Sequence, residues 1–183
     1  MIAKRDIITV AIDARVPDTG LGGVQQVLRS LAIGFSELED ATIRRVWIVY
    51  KDTSWWKGIF PPNDVIIELE IPFKFLVGVV SRISPRIISF IYPIFRFFRP
   101  DKAFLDEILT SHGVDVVHLP FQDGLLTELP TIYHPHDLQH EYLPENFSWF
   151  QRHHRNTNWK QHATSARVVM AASTSVKHDL ESF

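Results

Sequence analysis

Three histidines crowd one short segment, Tyr133-His134-Pro135-His136-Asp137-Leu138-Gln139-His140. Imidazoles at that density raise two chemistries. One is metal binding, but His136 and His140 share a face only on a helix, which Pro135 disfavours, and no fixed carboxylate stands with them. The other is general acid–base catalysis, because imidazole titrates near neutrality. A second group is Gly20, Gly22 and Gly23, just ahead of a helical pattern. A helix starting near Gly23 leaves its first N–H groups without intrahelical partners, with the positive end of its dipole beside them. Glycine lets a phosphate or carboxylate come close to that backbone. The competing reading is a tight connection that needs glycine only for its dihedrals. The dinucleotide fingerprint fits poorly: Gln25 stands where a third glycine belongs, and the glycines do not follow the strand directly.

These residues need elements to hold them. Ile7 to Ile12 is an apolar run of strand length. Val24, Val27, Leu28, Leu31, Ala32, Phe35 and Leu38 then repeat at threes and fours, the pattern of one helix face. Further strands are expected at 45–50, 65–71, 115–119, 131–134 and 167–172. Helices are expected from about 102 to 112, with Asp101 as cap and Gly113 as stop, over 147–166, and after Ser173 or Thr174. Segments 51–63 and 121–130 read as loops, and 135–146 as a polar loop. This alternation predicts an α/β fold with a parallel, doubly wound sheet. Ligands of such sheets bind outside the carboxyl ends of the strands, where both the glycines and the histidines fall.

Composition narrows the classes. With 183 residues, 45% hydrophobic and 22% charged, the chain has the make-up of one globular α/β domain. A net charge of −2 gives no reason to expect nucleic acid as a partner. The lack of cysteine removes disulfides, thiolate metal sites and thiol catalysis, and fits a cytoplasmic protein. No signal peptide is visible at the start.

The segment His136-Asp-Leu-Gln-His-Glu-Tyr-Leu-Pro-Glu-Asn-Phe-Ser148 resembles a landmark of GT-B glycosyltransferases of family 4, closest to the mannosyl- and rhamnosyltransferase-like members. Gly22-Gly23-Val24 matches an earlier landmark of that family. A later one is matched by Arg155, Ala163, Ala166, the run Val168 to Ser173, and Lys177-His178-Asp179-Leu180. The resemblance covers essentially the whole chain, but only the N-terminal half of the GT-B architecture, a Rossmann-like domain.

The resemblance implies a retaining transferase of nucleotide sugars, in polysaccharide or glycolipid synthesis, that needs no metal. Gly22 and Gly23 match the glycine pair that faces the donor diphosphate, and His136 the histidine that reaches the donor sugar. Arg155 and Lys177 match recurring basic positions of auxiliary role. Trp55 would lie on the acceptor side, although by residue type the favoured reading of Trp55 and Trp56 is packing under a long loop. Family members carry a second domain with a basic residue and two glutamates seven residues apart. Neither Glu37 with Glu39 nor Glu141 with Glu145 matches that pair. The chain is therefore expected to be a single acceptor-binding domain cut from a larger protein, and inactive alone. Two other readings stay open: a non-catalytic sugar- or lipid-binding module of the same fold, and an unrelated nucleotide-binding α/β protein.

The stretch from Pro72 to Pro100 carries Lys74, Arg82, Arg86, Arg96 and Arg99, interleaved with aromatics and without one acidic residue. Its arginines and the prolines at 85 and 93 interrupt any apolar run of about 20 residues, which argues against a spanning helix. One reading is broken helices over the sheet with arginines reaching water. The other is an anionic membrane surface, which would make the protein peripheral at the inner face of the cell membrane, beside a lipid-linked acceptor.

Overall fold

A computed structural model describes residues 7–18, 22–38, 42–70 and 102–182. The basic-aromatic stretch with Lys74, Arg82, Arg86, Arg96 and Arg99 lies outside the described residues, as does Gly20.

Six strands form one sheet: β1 (Ile8–Asp13), β2 (Ile43–Tyr50), β3 (Val65–Leu69), β4 (Val116–Leu119), β5 (Thr131–Tyr133) and β6 (Val168–Val169). Every pairing is parallel, and the order is β3-β2-β1-β4-β5-β6. This is the doubly wound, Rossmann-like α/β arrangement, and its strand order reverses between β1 and β4. Helices α1 (Gly22–Glu37), α2 (Lys102–Ser111), α3 (Gln139–Tyr142), α4 (Trp149–Ser165) and α5 (Thr174–Ser182) complete the described elements, with a 3-10 turn at Pro144–Asn146.

Alternate residues of each strand feed two cores. Ile12, Trp47 and Val49 pack with Leu28 and Ala32 of α1, while Ala11, Val46, Ile48, Val117 and Tyr133 pack with Leu105 and Leu109 of α2. Ala163 and Ala166, in and just after α4, lie against the second core, so α1 and α4 cover opposite faces. Most of the apolar stripe expected on α1 is the one it buries, through Leu28 and Ala32 with Val24, Leu31 and Phe35 half-buried around them, while Leu38, past the helix end, is 58% exposed.

Two expected elements differ. The polar loop at 135–146 contains α3 and the 3-10 turn, both too short for periodicity to reveal. The last strand is two residues rather than six. It pairs only with β5, itself three residues long, so there is little neighbour to extend along. Ser173 caps α5, its hydroxyl oxygen accepting from the Val176 N–H at 3.2 Å. Ser148 begins α4 with a reciprocal capping box: its hydroxyl accepts from the Gln151 N–H, and its own N–H donates to the Gln151 side chain.

Candidate functional site

The carboxyl ends of β1, β4 and β5 converge where the strand order reverses. Asp13 ends β1 and is completely buried. Arg15 donates to both its oxygens, Nε to Oδ1 at 2.8 Å and Nη2 to Oδ2 at 2.9 Å, and the Leu125 N–H donates to Oδ2 at 3.0 Å. One carboxylate thus ties the β1 loop to the β4–β5 loop. Burial works against the Arg15 charge, but the attraction and hydrogen bonds of Asp13 outweigh it and leave the pKa raised. Beyond Arg15, the Asp18 carboxylate accepts the Ser54 and Trp55 N–H groups at 2.8 and 3.0 Å. Those two hydrogen bonds hold its pKa below the usual carboxylate range.

Gly22 and Gly23 are the first two residues of α1, exposed at the carboxyl end of β1. A side-chain carbon built at either would meet no atom within 4 Å. Among the described residues the positive-φ glycines are Gly58 and Gly113, so neither dihedral nor packing demands glycine at 22 or 23. Glycine there leaves the backbone bare toward solvent.

The histidine segment follows β5. Parallel neighbours stand about 5 Å apart, so β5, two strands from β1, puts this segment about 10 Å from the glycine end of the sheet. His134 stacks on His118 of β4, with ring centroids 6.5 Å apart, and His134 meets His136 at 5.1 Å. Burial, then the neighbouring His134, pushes His118 down to about 4. Burial and His136 lower His134 as well, so two members of the row stay neutral near pH 7. The Nε2 atoms of His118 and His136 are buried and make no hydrogen bond. Such a ring nitrogen is costly to bury unless something else completes it.

His140 plays a different part. It is buried, its Nε2 is bonded to Asn156 Oδ1, and its ring meets Trp159 edge-on at 4.7 Å. The helix that would place it beside His136 begins only at Gln139. Among the described residues no group of three or more histidines or carboxylates is placed to hold a metal ion.

Of the other expected site residues, Arg155 belongs to this edge. Its guanidinium lies 4.2 Å from the Phe147 ring centroid and 4.9 Å from that of Trp159. Lys177 stands apart on α5, 64% exposed and 3.7 Å from Glu181. It lines a cavity of about 350 Å³ with Lys160, Ala163, Val169 and Leu180. Trp55 is core: it is buried, crosses Phe60 edge-on at 5.5 Å, and donates its indole N–H to the Val16 carbonyl at 2.8 Å. Sequence reasoning missed Asp13, Arg15, His118 and Asp123. Asp13 and Asp123 carried one available signal, each being a carboxylate at or just beyond the carboxyl end of a predicted strand.

No protein-family model matches the chain, and no curated protein matches it. Among the described residues no helix is long and apolar enough to cross a membrane.

Proposed function

We propose that this chain is the acceptor-binding half of a retaining, nucleotide-sugar-dependent glycosyltransferase of the GT-B type, working in polysaccharide or glycolipid synthesis. One observation carries the reading. The bare glycine pair at the start of α1 and the buried, unpartnered Nε2 of His136 flank β4 at the carboxyl edge of the same parallel sheet, beside its reversal point. In this reading the first N–H groups of α1 at Gly22 and Gly23 face the donor diphosphate, whose charge suits the helix terminus. His136 gives the donor sugar a hydrogen-bonding partner that the protein itself does not use. No metal takes part, and a further nucleotide-binding domain supplies the rest of the donor contacts. Arg155 supports the sugar end of the site, Lys177 an auxiliary surface, and Trp55 the floor of the acceptor side rather than a ring that touches it. Lys74, Arg82, Arg86, Arg96 and Arg99 place the protein against an anionic membrane surface on the cytoplasmic side, near a lipid-linked acceptor.

Phosphate titration followed by amide NMR tests the donor end. Shifts at Gly22 and Gly23 in the native chain, abolished in Gly23→Val, are the expected result. Equal shifts in both proteins would remove the anion cradle. Co-sedimentation with anionic against neutral liposomes tests the membrane contact, which is expected to need anionic lipid and to weaken with salt.

A further inference from the structure

Helix α4 carries two rings on its outward side. Its buried positions include Asn158 and His162. Trp149 and His153 each stand nine residues before one of these, about two and a half turns away, so they lie on the opposite face. Trp149 is 71% exposed. A single exposed apolar side chain is ordinary on a protein surface. What sets Trp149 apart is that it is held. Its ring lies parallel to that of His153, with an interplanar angle of 5° and centroids 5.3 Å apart. Four residues of helix separate the two, which is the spacing of stacked neighbours on one face. The backbone beneath is fixed as well, because the Ser148–Gln151 capping box closes the turn that Trp149 opens. One face of the indole is therefore covered, and the other is presented to solvent by a rigid support. A ring so fixed loses little side-chain freedom when a ligand lies on it.

Place and charge narrow what that ligand is. Helix α4 joins β5 to β6, which are parallel, so it runs against the strands and begins at their carboxyl edge. Gly22, Gly23 and His136 stand at the same edge. From Glu141 to Gln151 the chain carries Glu141 and Glu145 and neither lysine nor arginine. Both glutamates are exposed. Such a surface repels phosphate, whether as a free anion or in an anionic bilayer. A neutral sugar meets no such repulsion. Its ring C–H groups, slightly positive, suit the negative face of an indole, and its hydroxyls can donate to carboxylates.

We propose that Trp149, backed by His153, is a stacking platform for one pyranose ring of a neutral glycan. The glycan is the acceptor chain, an assignment that rests on the transferase reading, whereas the stacking itself does not. The stacked ring is one further along that chain than the reacting one, because Trp149 faces outward from the sheet. Stacking reads the shape of a ring face rather than the pattern of its hydroxyls, so the platform favours longer acceptors over shorter ones and tolerates several sugars.

The Trp149 indole N–H, assigned by its loss in Trp149→Phe, is the reporter. NMR titration of the native chain uses methyl α-mannoside and methyl β-glucoside. Glycerol serves as a polyol without a ring face, inorganic phosphate as the anion, and phosphatidylcholine vesicles as the bilayer. The expected result is a saturable indole shift with at least one glycoside, with saturation transfer to its ring C–H protons, and none with glycerol, phosphate or vesicles. Trp149→Ala should weaken the glycoside by about tenfold, and His153→Ala, which frees the indole to turn, by about threefold. Trp149→Tyr, which keeps a ring, should retain most of the binding. Trp149 and His153 are exposed, so the denaturation midpoint should stay in place in each variant, which separates binding from folding. An indole silent to every glycoside up to about 0.1 M would overturn the proposal. So would an equal shift with glycerol, a response to vesicles without one to glycosides, or an indole that shifts on dilution alone, which would mean that a second copy covers it. Loss of the phosphate response at Gly22 and Gly23, with the glycoside response kept, would instead strike the donor reading alone.

Discussion

Helices α1 and α4 cover opposite faces of one sheet with opposite chemistry. The buried stripe of α1 is Leu28 and Ala32, with Val24, Leu31 and Phe35 around them. The buried positions of α4 are His154, Asn158, Trp159 and His162. An apolar stripe is satisfied by exclusion of water alone. A stripe of imidazole and amide must find partners, and around it the Nε2 atoms of His118 and His136 remain unpartnered. The β1–α1 half is therefore finished by folding, whereas the β4–α4 half keeps polar capacity for something outside the chain. Asp13 is the joint between them.

The most damaging way to break this division is to cut that joint. Asp13→Ala leaves the Arg15 guanidinium, only 12% exposed, without its counter-charge and releases the Leu125 N–H. The expected loss is about 3–5 kcal/mol in urea unfolding. A loss confined to surface values would mean that the halves are not joined there.

Acid should separate the halves next. His118 titrates at about 4 when folded and near its ordinary 6.5 when unfolded. Between those values the unfolded chain binds more protons, so stability falls as pH falls. It is complete above about pH 6.5 and loses about 3 kcal/mol by pH 4. His134, lowered in the same direction, adds to the slope. Chemical denaturation across pH 4–7 should show the slope reduced in His118→Leu. An unchanged slope would move the acid sensitivity elsewhere.

Gly124→Ala sharpens the contrast with the α1 glycines. Its new carbon would press on Leu119, itself buried in the second core, and overpacking of that kind costs about 1–3 kcal/mol. Gly23→Ala, with open space around it, should leave the denaturation midpoint nearly in place. The smallest effect is expected at Lys177→Ala, within about 0.5 kcal/mol of the native chain, because its pair with Glu181 is exposed on both sides.

Much of the β1–α1 half was legible in the sequence. Its strand is apolar from Ile7 to Ile12 apart from Thr9, and its helix repeats apolar residues at the helical period, so burial wrote itself into pattern. The sheet class followed from alternation, and the histidine segment announced itself by composition. The β4–α4 half was harder for physical reasons. α4 buries polar residues, so period and hydropathy disagree along it. The Asp13–Arg15 pair is set by a strand end that aims two side chains at each other, which no spacing rule encodes. Asp123 meets Trp159, 36 residues further along the chain, which no local motif encodes. The contacts of Arg155 with Phe147 and Trp159 reach across eight and four residues, one of them ahead of the helix.

The pairing of β1 with β4 has a consequence in time. β1 meets β2 across about 35 residues, but Thr9 meets Asp115 across 106 and Asp13 meets Leu125 across 112. Closing the longer loop costs about 1 kcal/mol more in chain entropy than closing the shorter one. Contacts this distant in sequence slow folding, because the entropy is lost before the pairing rewards it. The crevice between β1 and β4 is thus expected to close after β1 and β2 pair, whose contacts are nearer in sequence. Until then Arg15 has its carboxylate, but the loop carrying Asp123 has no anchor, and a ligand for that edge has nothing to bind.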